Sequence, residues 1–488
     1  MLYMNFNLAV IFFFLIIFTL IQNTKNYIVL PFKTTNIPFQ DLNSDSAIEN
    51  FLSQIDINQP YTTLSFGNPS KNVDVYLSMK NLAFSISSNN CLKDSYSSYD
   101  PSLSNTFKNE TPYTYSIGDI KQVCIANEQC SFYNNLNLAQ NIILDNFKFY
   151  LGNNTSPKSD NISPNKFCGI VGLMRYSSNS QLYDYNLVNY LKKIGKINSY
   201  SWGIFYFDKE NSYNVDKDII SKYDGYLIVG ITNDTYLNFF KTDNIYSIYG
   251  YNSFFWSLHF NKIYFNVSDN ENVCSENTRI EFVIDMNYIT SDGTYYKGIK
   301  KHFFQKYFEK NICLEEKMYN ANEEGYNYMI ICNSEFKSSI SSFPNIYFYN
   351  ERFPYVFNLD YTDVFMEYNN KIYFLIIFKE DMNTLWRLGK IFMKKYPFIF
   401  DYDKKTVSFV HLKKYGGGQS NNESDKTKEN KSGIFANIKI YIIIILLIIA
   451  VIIGIFIGKY IWDKQRKKRA NELDDDNYEY VDDLNINR

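Results

Sequence analysis

The sequence predicts an all-β domain followed by a single membrane-spanning helix, and three observations carry that expectation. Short runs rich in β-branched and aromatic residues recur at 61–66, 73–77, 142–151, 225–229, 280–284, 372–378, 398–401 and 406–410, with turn residues between them. Helical periodicity is confined to short pieces, 183–194 and 299–310. Finally, residues 440–458 form a 19-residue stretch of almost pure Ile, Leu, Val and Gly, followed at once by Lys464, Arg466, Lys467, Lys468 and Arg469. An apolar run of that length covers most of a hydrocarbon core, and the basic cluster behind it places the tail in the cytoplasm.

The N-terminus supports the same topology. Residues 8–21 are an unbroken 14-residue apolar run but for one Thr, short for a bilayer span and suited to a signal-peptide core, although no Lys or Arg precedes it. The expected organisation is a signal peptide at 1–24, an N-terminal segment or short prosegment at 25–58, and two lobes at 59–240 and 241–413. A polar stalk at 414–438, the membrane helix at 439–462 and a cytoplasmic tail at 463–488 follow. The chain is thus expected to be a single-pass type I membrane protein of the secretory pathway or cell surface.

Composition removes several classes of function. With 488 residues the chain leaves roughly 410 between its two apolar ends, enough for two core-building domains. Lys and Arg number 49 against 51 Asp and Glu, so no basic surplus points to nucleic acid. Only three histidines occur, at 259, 302 and 411, and no C-x-x-C is present. No metal site and no cofactor are expected.

Seven cysteines in a lumenal domain point to disulfides with at least one left over. Cys313 with Cys332 is the preferred pair, and Cys124 with Cys130 the second. Glycosylation candidates on the lumenal side begin at Asn109, Asn153, Asn154, Asn161, Asn233 and Asn266, with two more in the stalk at Asn422 and Asn430. In the tail, Tyr478-Glu479-Tyr480-Val481 has the form of a tyrosine-plus-apolar sorting signal within an acidic, solvated stretch.

Read in order, a set of motifs resembles the pepsin-like aspartic proteases, the plasmepsins included. Tyr61 through Gly67 to Pro69 is similar to the family's first strand and turn. The segment 97–107, SSYDPSLSNTF, is similar to its Y-D-P-S-x-S-x-T-F stretch, and Tyr115 with Gly118 stands where the flap tyrosine and its turn belong. Gly169-Ile-Val-Gly-Leu173 resembles G-I-L-G-L. Gly225 to Gly230 with Tyr236, then Trp256, Leu388-Gly389 with Phe392, Phe400-Asp401 and 407–410 continue the order through the second half. The resemblance spans about 59–412 and implies a bilobal fold of two β-barrel-like lobes around a cleft.

The same resemblance implies a dyad of aspartates sharing one proton, one from each of two D-T/S-G motifs. Here the first position reads Ser78-Met79-Lys80 and the second Asp285-Met286-Asn287, so one aspartate remains and both glycines are gone. A serine hydroxyl cannot hold the shared proton at neutral pH, and Lys80 is expected to pair with Asp285 and keep it ionised. The nearest imitation of a second motif is Asp292-Gly293-Thr294. Cys168 replaces the acidic residue that usually precedes G-I-x-G-L, and Arg387 departs from the family's hydrophobic-hydrophobic-Gly strand.

The reading is a membrane-anchored pseudoprotease with catalytic positions Ser78 and Asp285, flanked by the cleft and flap residues Lys80 and Tyr115, that binds a protein or peptide. Two alternatives stay open: an active aspartic-type endopeptidase with a divergent dyad, and a trafficking or scaffold protein acting through its tail.

Overall fold

The computed structural model describes residues 27–35, 51–52, 55, 58–88, 99–111, 115–117, 120–134, 140–153, 169–175, 184–207, 221–232, 245–250, 255–268, 271–320, 325–380, 385–410, 454 and 457–467. The chain divides into two units, Met1–Gln419 and Ser420–Arg488. In the second unit, residues 457–467 are helical and exposed. Among the described residues no helix is long and apolar enough to cross a membrane; most of the expected span lies outside them.

The first unit is built on strands. In Lys71–Ser78, Val73, Val75 and Leu77 are buried while Asp74 and Tyr76 are partly open, the two-residue period of a half-buried strand. Its antiparallel partner Pro60–Phe66 buries Leu64 and Phe66 in the same way. On the open face Thr63 and Ser65 donate hydroxyl hydrogen bonds to Asp74 and Asn72, both at 2.6 Å.

A second group of strands is mostly buried, apart from the open edge strand Ile245–Tyr249. Ile28–Thr34 pairs with Gly225–Val229, which pairs with Ser201–Tyr206, then Phe398–Asp401, Thr406–Val410 and Ile245–Tyr249, every pairing antiparallel. This sheet takes strands from both halves of the sequence. Trp202, Phe400 and Trp256 pack together on it, with Trp202 and Phe400 stacked at 4.4 Å. The Trp256 indole N–H also donates to the Leu173 carbonyl at 3.0 Å, so the second half of the chain is pinned to the first.

The motif Tyr99 to Thr106 is explained by one buried carboxylate. The hydroxyls of Tyr99 and Thr106 both donate to Glu128, and the Gln129 N–H donates to it at 2.8 Å. Asp100 caps the turn that follows by accepting from the Ser102 N–H at 2.9 Å. Gly67 adopts a positive φ of 84°, and a Cβ there would lie 2.9 Å from the Ser104 hydroxyl oxygen. The residues that carry the resemblance are therefore turn-holding residues.

Several long strands exceed the sequence expectation. Ile120–Asn134 with Gln140–Asn153, Ser257–Ser268 with Glu271–Phe282, and Cys313–Asn320 with Gly325–Asn333 are antiparallel hairpins. Their polar outer positions dilute the apolar run that marks a strand in sequence. The run 372–378 is two strands, Lys371–Phe374 and Ile376–Lys379. Of the helical pieces, 183–194 contains the helix Leu187–Lys193. The other is the end of a longer helical stretch, Gly293–Ile299, a π-helical Lys300–Phe304 and Gln305–Phe308.

Cys313 and Cys332 face each other across their hairpin and form a disulfide. The alternative Cys124–Cys130 bond is excluded. Both stand on the one strand Ile120–Asn134, where six residues of extended chain span about 20 Å, and a disulfide needs Cα atoms within about 7 Å. Both thiols are buried, and burial raises the Cys130 pKa. The side chains of Cys91, Cys168 and Cys274 lie outside the described residues.

In each lobe one strand threads a loop. Gly169–Gly172 runs parallel to Lys71–Ser78, with Ser78 opposite Gly172, and Leu173 N–H donates to the Ser78 carbonyl at 2.7 Å. Leu385–Leu388 runs parallel to Glu271–Phe282, with Phe282 opposite Leu388, and Lys390 N–H donates to the Met286 carbonyl at 2.7 Å. At both crossings glycine is a steric requirement. A Cβ on Gly172 would sit 2.3 Å from the Leu82 carbonyl oxygen, and one on Gly389 2.1 Å from that of Tyr288. Gly172→Ala and Gly389→Ala should each lower unfolding free energy by about 1–3 kcal/mol, measured by urea denaturation.

Candidate functional site

The two threaded loops carry Ser78 and Asp285, and they meet. Ser78 ends the strand Lys71–Ser78 and is fully buried. Asp285 follows the strand Glu271–Phe282 and is buried. One oxygen of the Asp285 carboxylate accepts from the Met79 N–H at 2.8 Å and from the Lys80 N–H at 3.2 Å, and the Ser78 side chain hydrogen-bonds to the same carboxylate. The Ser78 oxygen in turn accepts from the N–H groups of Lys80 and Asn81, both at 3.2 Å, and from the Asn81 side-chain amide at 2.8 Å. The remaining aspartate is thus tied to the opposite loop by peptide N–H groups.

Burial raises the Asp285 pKa above the ordinary carboxylate value; the Lys80 charge and the hydrogen bonds from Ser78, Met79 and Lys80 oppose the shift without cancelling it. The Lys80 charge acts in the expected direction, toward the ionised form, but it is the smaller effect. Lys80 is exposed, so water screens its ammonium, and desolvation of the carboxylate prevails.

The other acids near the site are committed elsewhere. Asp292, the aspartate of the D-G-T sequence, accepts from the Ser275 hydroxyl at 2.7 Å, the Trp386 indole N–H at 2.8 Å and the Tyr295 N–H at 2.8 Å, capping the helix Gly293–Ile299. Its hydrogen bonds go to these structural partners and not to Ser78. Arg387 also has a structural reason. It stands opposite the buried Glu281 and donates to it at 3.2 Å, while Arg279 donates from the other side at 2.6 Å.

Tyr115, the expected flap residue, stands in a short paired strand. Tyr115–Ile117 pairs antiparallel with Ile120–Asn134, Tyr115 opposite Val123; its side chain and Gly118 lie outside the described residues. Asn109 is exposed at a strand edge. Asn154, Asn161 and Asn233 are outside the described residues, as are the side chains of Asn153 and Asn266. Among the described residues no group of three His, Cys, Asp or Glu side chains could hold a metal ion.

Sequence reasoning missed Asn287 and Lys390. The Asn287 amide donates to the carbonyls of Ile55 and Asn58, the buried Lys390 ammonium donates to the Asn58 carbonyl at 2.7 Å, and the Gln59 amide donates to the Asp285 carbonyl at 2.8 Å. The loop that bears Asp285 thus also holds residues upstream of the first lobe. The signal available in sequence was Asn287 in place of the motif's glycine and Lys390 directly after the threading Gly389.

Two lobes with threaded loops, meeting at Ser78 and Asp285, define the class of protein. A family model for eukaryotic aspartyl proteases matches residues 59–412, and the chain belongs to that family. No curated protein matches the chain at a significant level.

The raised Asp285 pKa sets a pH dependence. Below the ordinary carboxylate range Asp285 is protonated in both folded and unfolded chains. As pH rises into the window between the unfolded and folded pKa values, the unfolded chain releases its proton first, so stability falls and then levels off. Asp285→Asn keeps an acceptor for Met79 and Lys80 and has no charge to bury. Its melting temperature relative to wild type should rise from acid to neutral pH, read by thermal denaturation across that range; a relative fall would contradict the assignment.

Proposed function

We propose that the chain is a membrane-anchored pseudoprotease whose lobes bind a protein or peptide partner on the lumenal or extracellular side. The observation that carries this reading is the hydrogen bonding of Asp285. The family's chemistry requires one carboxylate to activate a water as base while a second supplies a proton. At the second position stands Ser78, whose hydroxyl has no carboxylate's range of protonation. One oxygen of Asp285 accepts from Met79 and Lys80, which leaves that oxygen poorly placed to direct a water.

What the reading keeps is the binding capacity of the fold. A cleft between two β-rich lobes accepts extended chain by main-chain pairing, and that needs no dyad. Both threading glycines and the strands that hold the loops persist, so the frame is maintained while the acid–base pair is not. The apolar run at 440–458 and its basic flank support anchorage of this frame at a membrane, with the tail in the cytoplasm.

The decisive assay offers mixed peptides to the purified chain from about pH 3 to about pH 7, the range in which carboxylate pairs exchange protons, with and without pepstatin. Wild type and Asp285→Ala should show the same background cleavage. Pepstatin-sensitive cleavage lost in Asp285→Ala would establish an active endopeptidase and end this proposal. With cleavage absent, photo-crosslinking of the intact protein in its membrane should capture a partner on the lobes.

A further inference from the structure

The strand Ile245–Tyr249 ends the sheet that joins the two halves of the sequence. Thr406–Val410 pairs with one of its edges, and among the described residues no strand pairs with the other. The Gly250 N–H donates to the Lys405 carbonyl at 2.8 Å, so Tyr246, Ile248 and Gly250 are the positions that hydrogen-bond toward Thr406–Val410. The N–H and C=O groups of Ile245, Ser247 and Tyr249 therefore point to the open side. Tyr246 and Ile248 pack on the core. The alternate residues lie on the other face, where Tyr249 is 75% exposed.

Exposed sheet edges are ordinarily blunted by a charge, a proline or a bulge. The stretch Ile-Tyr-Ser-Ile-Tyr has no charged residue and no proline, and its register with Thr406–Val410 runs without a shift. It is also its own complement. Turned antiparallel about Ser247, a second copy sets Ser247 opposite the partner's Ser247, Ile245 opposite the partner's Tyr249 and Tyr246 opposite the partner's Ile248. Each pair off the axis is then aromatic on β-branched, a favourable cross-strand combination, and no charges face each other. The outward backbone groups of Ile245, Ser247 and Tyr249 meet their counterparts as hydrogen-bonded pairs.

The apolar run names the same occupant independently. Gly454 and Gly458 stand four residues apart within it, both are helical and exposed, and a Cβ on either would meet nothing within 4 Å. G-x-x-x-G in an apolar span lets two identical helices approach closely.

We infer that the open edge of Ile245–Tyr249 is the docking surface for a second copy of this chain, paired antiparallel about Ser247 so that the sheet continues across a two-fold axis. A contact in which each residue meets its symmetric counterpart is the isologous interface of a closed dimer. Five residues of strand make a small interface, so the dimer dissociates on dilution. This goes beyond the proposed function, because the edge pairs with its copy whether or not a partner occupies the lobes.

Sedimentation velocity of the intact, detergent-solubilised chain over a dilution series tests the pairing. Wild type should pass from monomer to dimer as concentration rises. Ser247→Lys sets two ammonium groups opposite each other and should weaken dimerisation at least about tenfold, and Ser247→Glu should do the same. A one-to-one mixture of the two variants sets Lys opposite Glu and should restore the dimer. Both variants lose the Ser247–Ser408 hydroxyl contact, so recovery in the mixture reports the charge pair and excludes misfolding. Wild type that stays monomeric, single variants that dimerise as wild type does, or a mixture that stays monomeric each overturns the inference. A dimer held by the helix glycines alone survives Ser247→Lys unchanged and counts against it in the same way.

Discussion

Two loops from opposite halves of the chain meet at one buried carboxylate, and the arrangement of the first unit follows from how that meeting is held. Asp285 accepts from the Met79 and Lys80 N–H groups, so a side chain of one lobe satisfies main-chain donors of the other. Those donors are available because Leu173 and Met174 pair their N–H groups with Ser78 and Asn81 and fix the first loop. The second loop is fixed in the same way by Val283 and Lys390. Each threading strand must pass a backbone within van der Waals distance, which only a residue without a Cβ allows. Glycine at 172 and 389 is thus the condition for the contact between lobes.

Among the described residues five carboxylates are buried, and four of them show different solutions. Glu128 is met by two hydroxyls and an N–H, Glu281 by two arginines, and Asp292 by an indole, a hydroxyl and a helix N-terminus. In Asp285 burial outweighs its donors and the nearby charge of Lys80. A buried acid needs compensating partners or it shifts toward its neutral form. The three well-compensated acids hold turns and strands in register. Burial also raises the pKa of Asp401, but Asp285 is the one that meets the opposite loop, which is where tension between folding and chemistry concentrates.

Much of the frame is legible in sequence because its signals are local. Strands such as 225–229, 398–401 and 406–410 are buried along nearly their whole length, so they read as mostly apolar runs. The Tyr99–Thr106 motif and Gly67 report turns whose conformations their own residues impose. The long hairpins were less legible, since one side faces water and the apolar pattern thins. Arg387 looked anomalous only because its partner, Glu281, lies 106 residues away in sequence.

The sequence by itself determined that one aspartate remains of the family's pair, that the threading glycines persist, and that an apolar run with a basic flank follows the folded part. These follow from residue identity and short-range order. Tertiary structure alone decided what the remaining aspartate does, which way its pKa moves, and what the loop bearing it holds. Asp285 takes its donors from residues more than 200 positions away, and Lys390 finds its acceptor 332 positions away at Asn58. Side chains so distant meet only through the packing of both lobes. Whether a charge is then stabilised depends on how much water that packing removes.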